Sequence, residues 1–365
     1  MNILTTRGRR IGGGVRWAAL LVAAAVLAAP LAGTVRADTT SKALAKYEQP
    51  VDQSIDRALA WLAKEQHADD GSWVGEDRAN LTGITSLCVM AFLAKGHTPG
   101  VGPYGEVLNK GIDFILSSQR PNGLLDQGQR GNGAMYCHSI STLMLSEVSG
   151  MVDPARQQRI DTALGKALKA ILAAQRVRKQ RDGDIGGWRY QLDSTESDIS
   201  CTGWAVMALR SARNNGAAVP KEAIDMAMAY IMRCRCSDDG FAYQVGGTSG
   251  WARTGTAVLC LELCGHHRER PALLGGEWIL KHLPKGYGGA GGEFFSYAMY
   301  YCAQATFQLG DEYWEKFAPR MYDIFLAAQD KQGFWPPTES NRSYSTAMTV
   351  LAMSVPYCQL PIYQR

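Results

Sequence analysis

An all-α toroid of six helical hairpins is the fold that this 365-residue sequence predicts. Three observations predict it: a short signature recurs six times, an apolar helix-length segment follows every copy, and the last copy is as well formed as the first. The first copy has Trp61-Leu62, then Gln66, with Gly71 and Trp73 behind them. The second has Phe114-Ile115-Leu116, Gln119 and Gly123. The third has Ile171-Leu172 and Gln175, then an insertion before Gly187-Trp188. The fourth is worn, with Tyr230-Ile231 and Gly240-Phe241 but no Gln. The fifth is weaker still, with Trp278-Ile279-Leu280 and glycines 286, 288 and 289. The sixth is complete again, with Phe325-Leu326, Gln329, Gly333 and Trp335.

The segments that follow, 82–95, 136–149, 200–213, 253–265, 294–309 and 343–355, are too long for strands. They are apolar nearly all round, as in Gly203-Trp204-Ala205-Val206-Met207-Ala208-Leu209, so each is a buried helix. The first segment of each pair is amphipathic, as in Ile55-Asp56-Arg57-Ala58-Leu59-Ala60-Trp61-Leu62, and faces water on one side. Each repeat is therefore an outer helix, a Gly-rich loop and an inner helix. Open solenoids carry polar capping repeats at their ends. Here the sixth inner segment stays apolar through Val355, which favours a closed ring over 53–360, with a linker at 38–52 and a short tail at 361–365.

The Gln…Gly-x-Trp signature resembles the QW repeat of the prenyltransferase and squalene oxidase repeat family. Its place between outer and inner helices is similar to that in squalene–hopene cyclases and in the β subunits of protein prenyltransferases. The resemblance covers essentially all of 53–360, and the length corresponds to one barrel. It implies structural roles for Gln66, Trp73, Gln119, Trp188, Gln329 and Trp335: the glutamine ties helix ends, and the aromatic packs on the next repeat. The fold alone does not carry a chemistry.

All six inner helices would start at one end, and their N-termini would make that mouth favourable to anions. The candidates for chemistry there are Asp198, Cys201 and His138. The candidates for ligand binding are Tyr136, Trp251, Arg253, Tyr297, Tyr344 and Ser345. Cyclases of the resembled type carry Asp-x-Asp-Asp-Thr in the third repeat. Here the stretch reads Asp198-Ile199-Ser200-Cys201-Thr202, so only the first Asp and the Thr survive. Prenyltransferases hold zinc with an Asp-x-Cys pair and a His. No Asp-x-Cys occurs, and Asp198, Cys201 and His138 follow a different order. The expectation is a toroid without the cyclase acid motif, metal site or cofactor, binding an apolar, isoprenoid-like ligand or a protein partner. One alternative is a terpene cyclase or prenyltransferase-type enzyme working through Asp198 or a variant metal site. Another is a carbohydrate-active toroid, with charge supplied by Arg130, Arg253 and Arg342.

At the N-terminus, Arg7, Arg9 and Arg10 precede a small apolar run from Trp17 to Gly33 that ends at Val35-Arg36-Ala37. These are the marks of a cleavable signal over 1–37, and hence of export to a periplasmic or extracellular space, with membrane association only if the signal is retained. The Arg9-Arg10 pair leaves the route, general secretory or twin-arginine, open. The formal charge of +4 falls once the signal leaves, and no basic stripe argues for nucleic acid. Nine cysteines are an odd number, so at least one is free or pairs between chains. Cys88, Cys137, Cys201, Cys260, Cys264 and Cys302 sit in apolar runs and are expected to be buried thiols. A metal site joining Cys234 and Cys236 to Cys264 and His266 is excluded, because a helix over 253–265 separates its two ends by roughly 18 Å.

Overall fold

Two kinds of helix alternate along the chain. In the computed structural model a short α1 (Lys42–Ala45) leads into six hairpins: α2 (Glu48–Glu65) and α3 (Leu81–Ala94), α4 (Gly105–Ser117) and α5 (Ala134–Glu147), α6 (Pro154–Gln175) and α7 (Ile199–Asn214), α8 (Lys221–Arg233) and α9 (Trp251–Leu263), α10 (Arg270–Lys281) and α11 (Phe295–Leu309), α12 (Asp311–Ala328) and α13 (Arg342–Met353). The structure describes residues 42–73, 81–127, 133–289 and 294–364, all in one unit, and no β-strand occurs among them. The expected signal, 1–37, lies outside the described residues, as does Arg130. No described helix is long and apolar enough to cross a membrane.

The odd-numbered helices from α3 to α13 form the inner ring. Each packs on the next, and α13 returns to α3, so the ring is closed. The physical reason is visible in α3, where all fourteen residues are buried. An open end would expose such a helix along one side. Leaving five large apolar side chains in water would cost about 7–15 kcal/mol, as much as a whole domain's stability. The outer helices sit over the seams between inner ones. Thus α2 packs on α13 as well as α3, and α1 packs on α12. Tyr47 secures that last contact by donating to Asp323 at 2.7 Å.

The recurring glutamine joins three pieces of chain. Gln66 donates to the Gly71 carbonyl of its own loop and to Val107 of the next outer helix, both at 2.9 Å. Gln119 reaches Gly123 and Ala163, and Gln175 reaches Gly186 and Ala223, in the same way. Gln329 closes the circle, donating to Gly333 and, across 275 positions of sequence, to Ser54 of α2. The tryptophan that follows turns its indole N–H onto its own outer helix: Trp73 to Leu62, Trp188 to Ile171 and Trp335 to Phe325. The glycine two residues before it is required twice over. Gly333 has φ +108, and a Cβ there would lie 2.4 Å from the Arg57 carbonyl oxygen of the next outer helix. Gly71 repeats this against Lys110. In the worn fourth repeat Asp239 takes the same conformation, φ +69, which Asp tolerates better than most residues.

Two boundaries and the burial of Cys264 differ from the sequence reading. Residues 42–52, expected as linker, are helical, and α2 starts at Glu48. The expected tail forms a buried 3-10 turn over Pro361–Tyr363, with Tyr363 only 1 % exposed. None of the nine cysteines is in a disulfide, and Cys264 is partly exposed whereas Cys234 is buried. Cys264 follows the last residue of α9 and Cys234 the last of α8, where burial depends on the neighbouring turn rather than on the apolar run.

Replacing Gln329 with Ala removes both closing donors, and should lower unfolding free energy in urea by about 2 kcal/mol. A loss no greater than that of an exposed-residue control would show that the bridge does not hold the ring shut.

Candidate functional site

One mouth of the ring collects the loops before α7, α9 and α13 and the first turns of α5 and α11. Its centre is Asp198, the N-cap of α7, whose carboxylate accepts from the Cys201 amide at 2.8 Å. The backbone holds Asp198 from two sides. Its N–H donates to the Trp188 carbonyl, and that of Ile199 donates to Tyr243. The insertion peculiar to the third repeat, 176–186, is ordered by Lys179, which donates to the Ser194 and Glu196 carbonyls, and by an Arg181–Asp184 ion pair. The loop strand behind it delivers Arg189 and Tyr190 to the rim, where Arg189 pairs with Glu196 at 3.1 Å. Tyr190 and Tyr243 meet hydroxyl to hydroxyl at 2.5 Å, and Tyr136 of α5 places its ring 6.1 Å from that of Tyr190.

Sequence reading missed Arg189, Tyr190 and Tyr243. A signal was present: Tyr190 and Tyr243 each stand two residues after the loop aromatic, Trp188 and Phe241, so both project to one side of the loop.

Asp198 is wholly buried, and burial pushes its carboxyl up to about 6 against the Cys201 amide and the charge of Arg189. One oxygen caps the helix. The other, Oδ2, is buried without a hydrogen-bond partner, although the Tyr243 hydroxyl and Cys201 thiol lie close. The carboxylate in turn raises the phenols of Tyr136, Tyr243 and Tyr297, beyond what their own burial does. Burial raises the Cys201 thiol still more strongly, so it stays protonated and is a poor nucleophile.

The structure thus brings Asp198, Cys201, Tyr136 and Tyr297 together, and Tyr344 joins them through its nearness to Tyr297. His138 does not belong there. It faces outward, where Nδ1 accepts from the Leu125 amide and Nε2 contacts the Ala167 carbonyl. The Leu125 contact fixes the proton on Nε2. With both nitrogens engaged and burial holding it down at about 4, it is a neutral structural residue. It replaces the threonine that takes the same loop amide in other repeats, namely Thr85, Thr202, Thr254 and Thr346. Ser345 is also structural, being fully buried and accepting from the Thr338 amide. Arg253 lies beside Cys236, whose thiol is raised by burial and by Asp238, with the Arg253 charge opposing them. Trp251 begins α9, half-buried, with its carbonyl taking the Cys302 thiol. Arg342 is exposed and lies over the Phe334 ring. No three His, Cys, Asp or Glu side chains gather as metal ligands among the described residues.

In the first turns Ile140, Ser200 and Tyr297 keep 6, 7 and 8 % exposure. Below them no side chain over 84–94, 141–147, 201–209, 254–262, 298–306 or 345–353 exceeds 3 %. Between those segments the described side chains leave almost no surface that water reaches. Aromatic rings meet there: Trp204 of α7 stacks on Tyr300 of α11 at 5.5 Å and meets Tyr301 edge-on.

No known protein family and no curated protein matches the sequence. Solved structures do match in shape. An α-1,6-mannanase of a Salegentibacter species gives a TM-score of 0.63 at 10 % identity, over 84 % of this chain and 99 % of that one. The type II terpene cyclase MstE of Scytonema gives 0.54 at 16 % identity, over 86 % and 100 %. A variant of that cyclase holding geranylgeranyl dihydroxybenzoate gives 0.56 at 16 % identity, over 87 % and 100 %. At such identities the likeness is one of fold, the α/α toroid.

Two outcomes follow. Asp198 and Glu147, a fully buried residue of α5 raised by burial to about 7, both ionise later in the fold than in the unfolded chain. Their contributions are complete below pH 4 and are lost as pH rises through about 6 and 7. Stability should therefore fall between about pH 4 and 7, by roughly 3 kcal/mol for each group at most. Asp198→Asn and Glu147→Gln should each flatten the profile of denaturation midpoint against pH; an unchanged slope would contradict the assignment. His138→Thr, which restores the acceptor used by the other repeats, should be about 1 kcal/mol more stable than His138→Ala; equal midpoints for the two variants would refute this role for His138.

Proposed function

We propose that this chain is an exported, non-cyclising toroid that binds a ligand at the tyrosine-lined mouth and does not engulf it in the ring. The observation that carries the reading is the filled axis. A site that encloses a molecule of isoprenoid size needs a cavity of about 300–1,000 Å³. Trp204, Tyr297, Tyr300 and Tyr301 occupy the corresponding space here. The chemistry of the mouth agrees. Proton-initiated cyclisation needs a strong acid poised by a second carboxylate. Asp198 has Ser200 and Cys201 where that partner would stand, and one of its oxygens is committed to capping α7.

What the mouth offers instead is flat aromatic surface (Tyr136, Tyr190, Tyr297, Tyr344) around one buried carboxyl oxygen with no partner. That suits a ligand with an apolar, isoprenoid-like face and one O–H or N–H group for Asp198. Both neighbours take ligands of their own: the Scytonema cyclase a geranylgeranyl aromatic, the Salegentibacter mannanase an α-1,6-mannotriose. A mouth of this shape presents its aromatic faces to either kind.

A second reading rests on Asp198 itself. A carboxyl raised to about 6 with a free oxygen is a competent general acid, so the same mouth could turn a ligand over.

Calorimetric titration of the purified chain with geranylgeraniol and with mannotriose decides between these. Binding of the isoprenol, weakened about tenfold by Tyr136→Ala and kept by Asp198→Asn, is the expected result. Conversion of either compound that stops in Asp198→Asn would replace this reading with the enzymatic one. Tight binding of mannotriose alone would make the ligand a glycan, and failure of both compounds would sink the proposal.

A further inference from the structure

The opposite end of the ring is built differently. There the inner helices end, and the C-terminal segment crosses the opening. Ile362 donates its amide to buried Glu147 at 3.1 Å, and Gln308 donates to the Tyr363 carbonyl. Beside this strap lies an open cavity of about 570 Å³, lined by Arg210, Asn214, Glu262, Gln308, Ile362 and Gln364 among others. It belongs to neither the Asp198 mouth nor the reading given for it. Asp198 and Asn214 cap and end the same sixteen-residue helix, so about 24 Å separates the two mouths.

Charge is divided across this cavity. Arg210 projects from α7, and its Nε is buried with no hydrogen-bond partner. Glu262 projects from α9, the neighbouring inner helix, and its side chain is 1 % exposed. The two line one cavity but do not pair among the described residues. Glu262 instead accepts from the Arg268 amide at 2.9 Å and faces the exposed His267 at 3.4 Å. An unpaired buried donor costs about 1–3 kcal/mol, so the Arg210 side has an unmet demand for an acceptor. A guanidinium meets a carboxylate best. The far side carries the Glu262 carboxylate and the carbonyl ends of α9 and α11, which attract a cation. Pro361 and Ile362 close the gap with an apolar wall.

We infer that this cavity is a second binding site, for a short zwitterion (an amino acid, or a di- or tripeptide) whose carboxylate meets Arg210 and whose ammonium faces Glu262. Axes of neighbouring packed helices lie about 8–10 Å apart, a gap that a molecule with its two charges a few bonds apart can bridge. The ligand's apolar side chain rests on Ile362.

The test compares L-alanine, L-alanyl-L-alanine and the doubly blocked N-acetyl-L-alanyl-L-alanine amide, by titration calorimetry and by thermal unfolding of the whole chain. At ten times its Kd a zwitterion should raise the unfolding midpoint by about 2 °C. The blocked peptide should not, and which of the other two binds more tightly tells a free amino acid site from a peptide site. Arg210→Gln should weaken binding at least tenfold, and Arg210→Lys, which keeps the charge but loses the fork, should weaken it measurably as well. Asp198→Asn, at the other mouth, should leave it unchanged. Equal binding of the blocked peptide, unchanged affinity in both folded Arg210 variants, or no binding by either zwitterion would overturn the inference.

Discussion

A helix that is apolar on every face has to be surrounded, and in this chain six such helices surround one another. The packing of α13 onto α3 is the contact on which the rest depends. Closure makes all six inner helices point the same way, so one mouth gathers their N-termini and the other their C-termini. The two mouths consequently differ in polarity before any side chain is considered. Closure also explains why α2 and α12 are neighbours despite lying at opposite ends of the sequence, with Gln329 and Tyr47 reaching across the seam.

What holds repeat to repeat is a small set of side-chain-to-backbone hydrogen bonds made the same way at each joint. A glutamine bridges its own loop and the next outer helix, an indole N–H returns to the helix it follows, and an inner-helix threonine accepts from the loop. Each is a net gain of about 1 kcal/mol, modest singly and large when repeated round a ring. Where the pattern is worn, something else fills in. His138 takes the threonine's place in the second repeat, and Asp239 takes the glycine's conformation in the fourth. The third repeat keeps the full pattern and adds an insertion, and the loop strand behind that insertion carries Arg189 and Tyr190 to the rim around Asp198.

Packing then divides structure from function. Below the first turn the described inner side chains are buried, and aromatic rings of α7 and α11 meet there, so the ring itself is core. Both ends carry a buried carboxyl raised by desolvation, Asp198 at one and Glu147 at the other. Their environments differ. Asp198 has an unpartnered oxygen among tyrosines, whereas both oxygens of Glu147 are taken, one by Ser211 and one by the amide of Ile362. The first keeps one oxygen without a partner, and the second anchors the C-terminal strap.

The repeat, its outer and inner helices and its closure were all legible in the sequence, because helical amphipathicity and the glutamine signature are local properties with a fixed period. All six inner segments were located to within about two residues of each observed start, which is the usual uncertainty of a helix end. The same reading placed Asp198, Cys201, Tyr136 and Tyr297 at one mouth, since position at a helix start follows from the repeat alone. It could not tell that His138 turns outward, that Tyr190 and Tyr243 meet, that Trp204 reaches the tyrosines of α11, or that residues 361–363 are buried. Those facts depend on which way a side chain points and on what lies across the ring from it. Sequence periodicity by itself determined the toroid and its polarity; only the tertiary structure decided that the axis is filled and which carboxyl oxygen is left free, because side-chain packing across a ring joins residues that no local pattern relates.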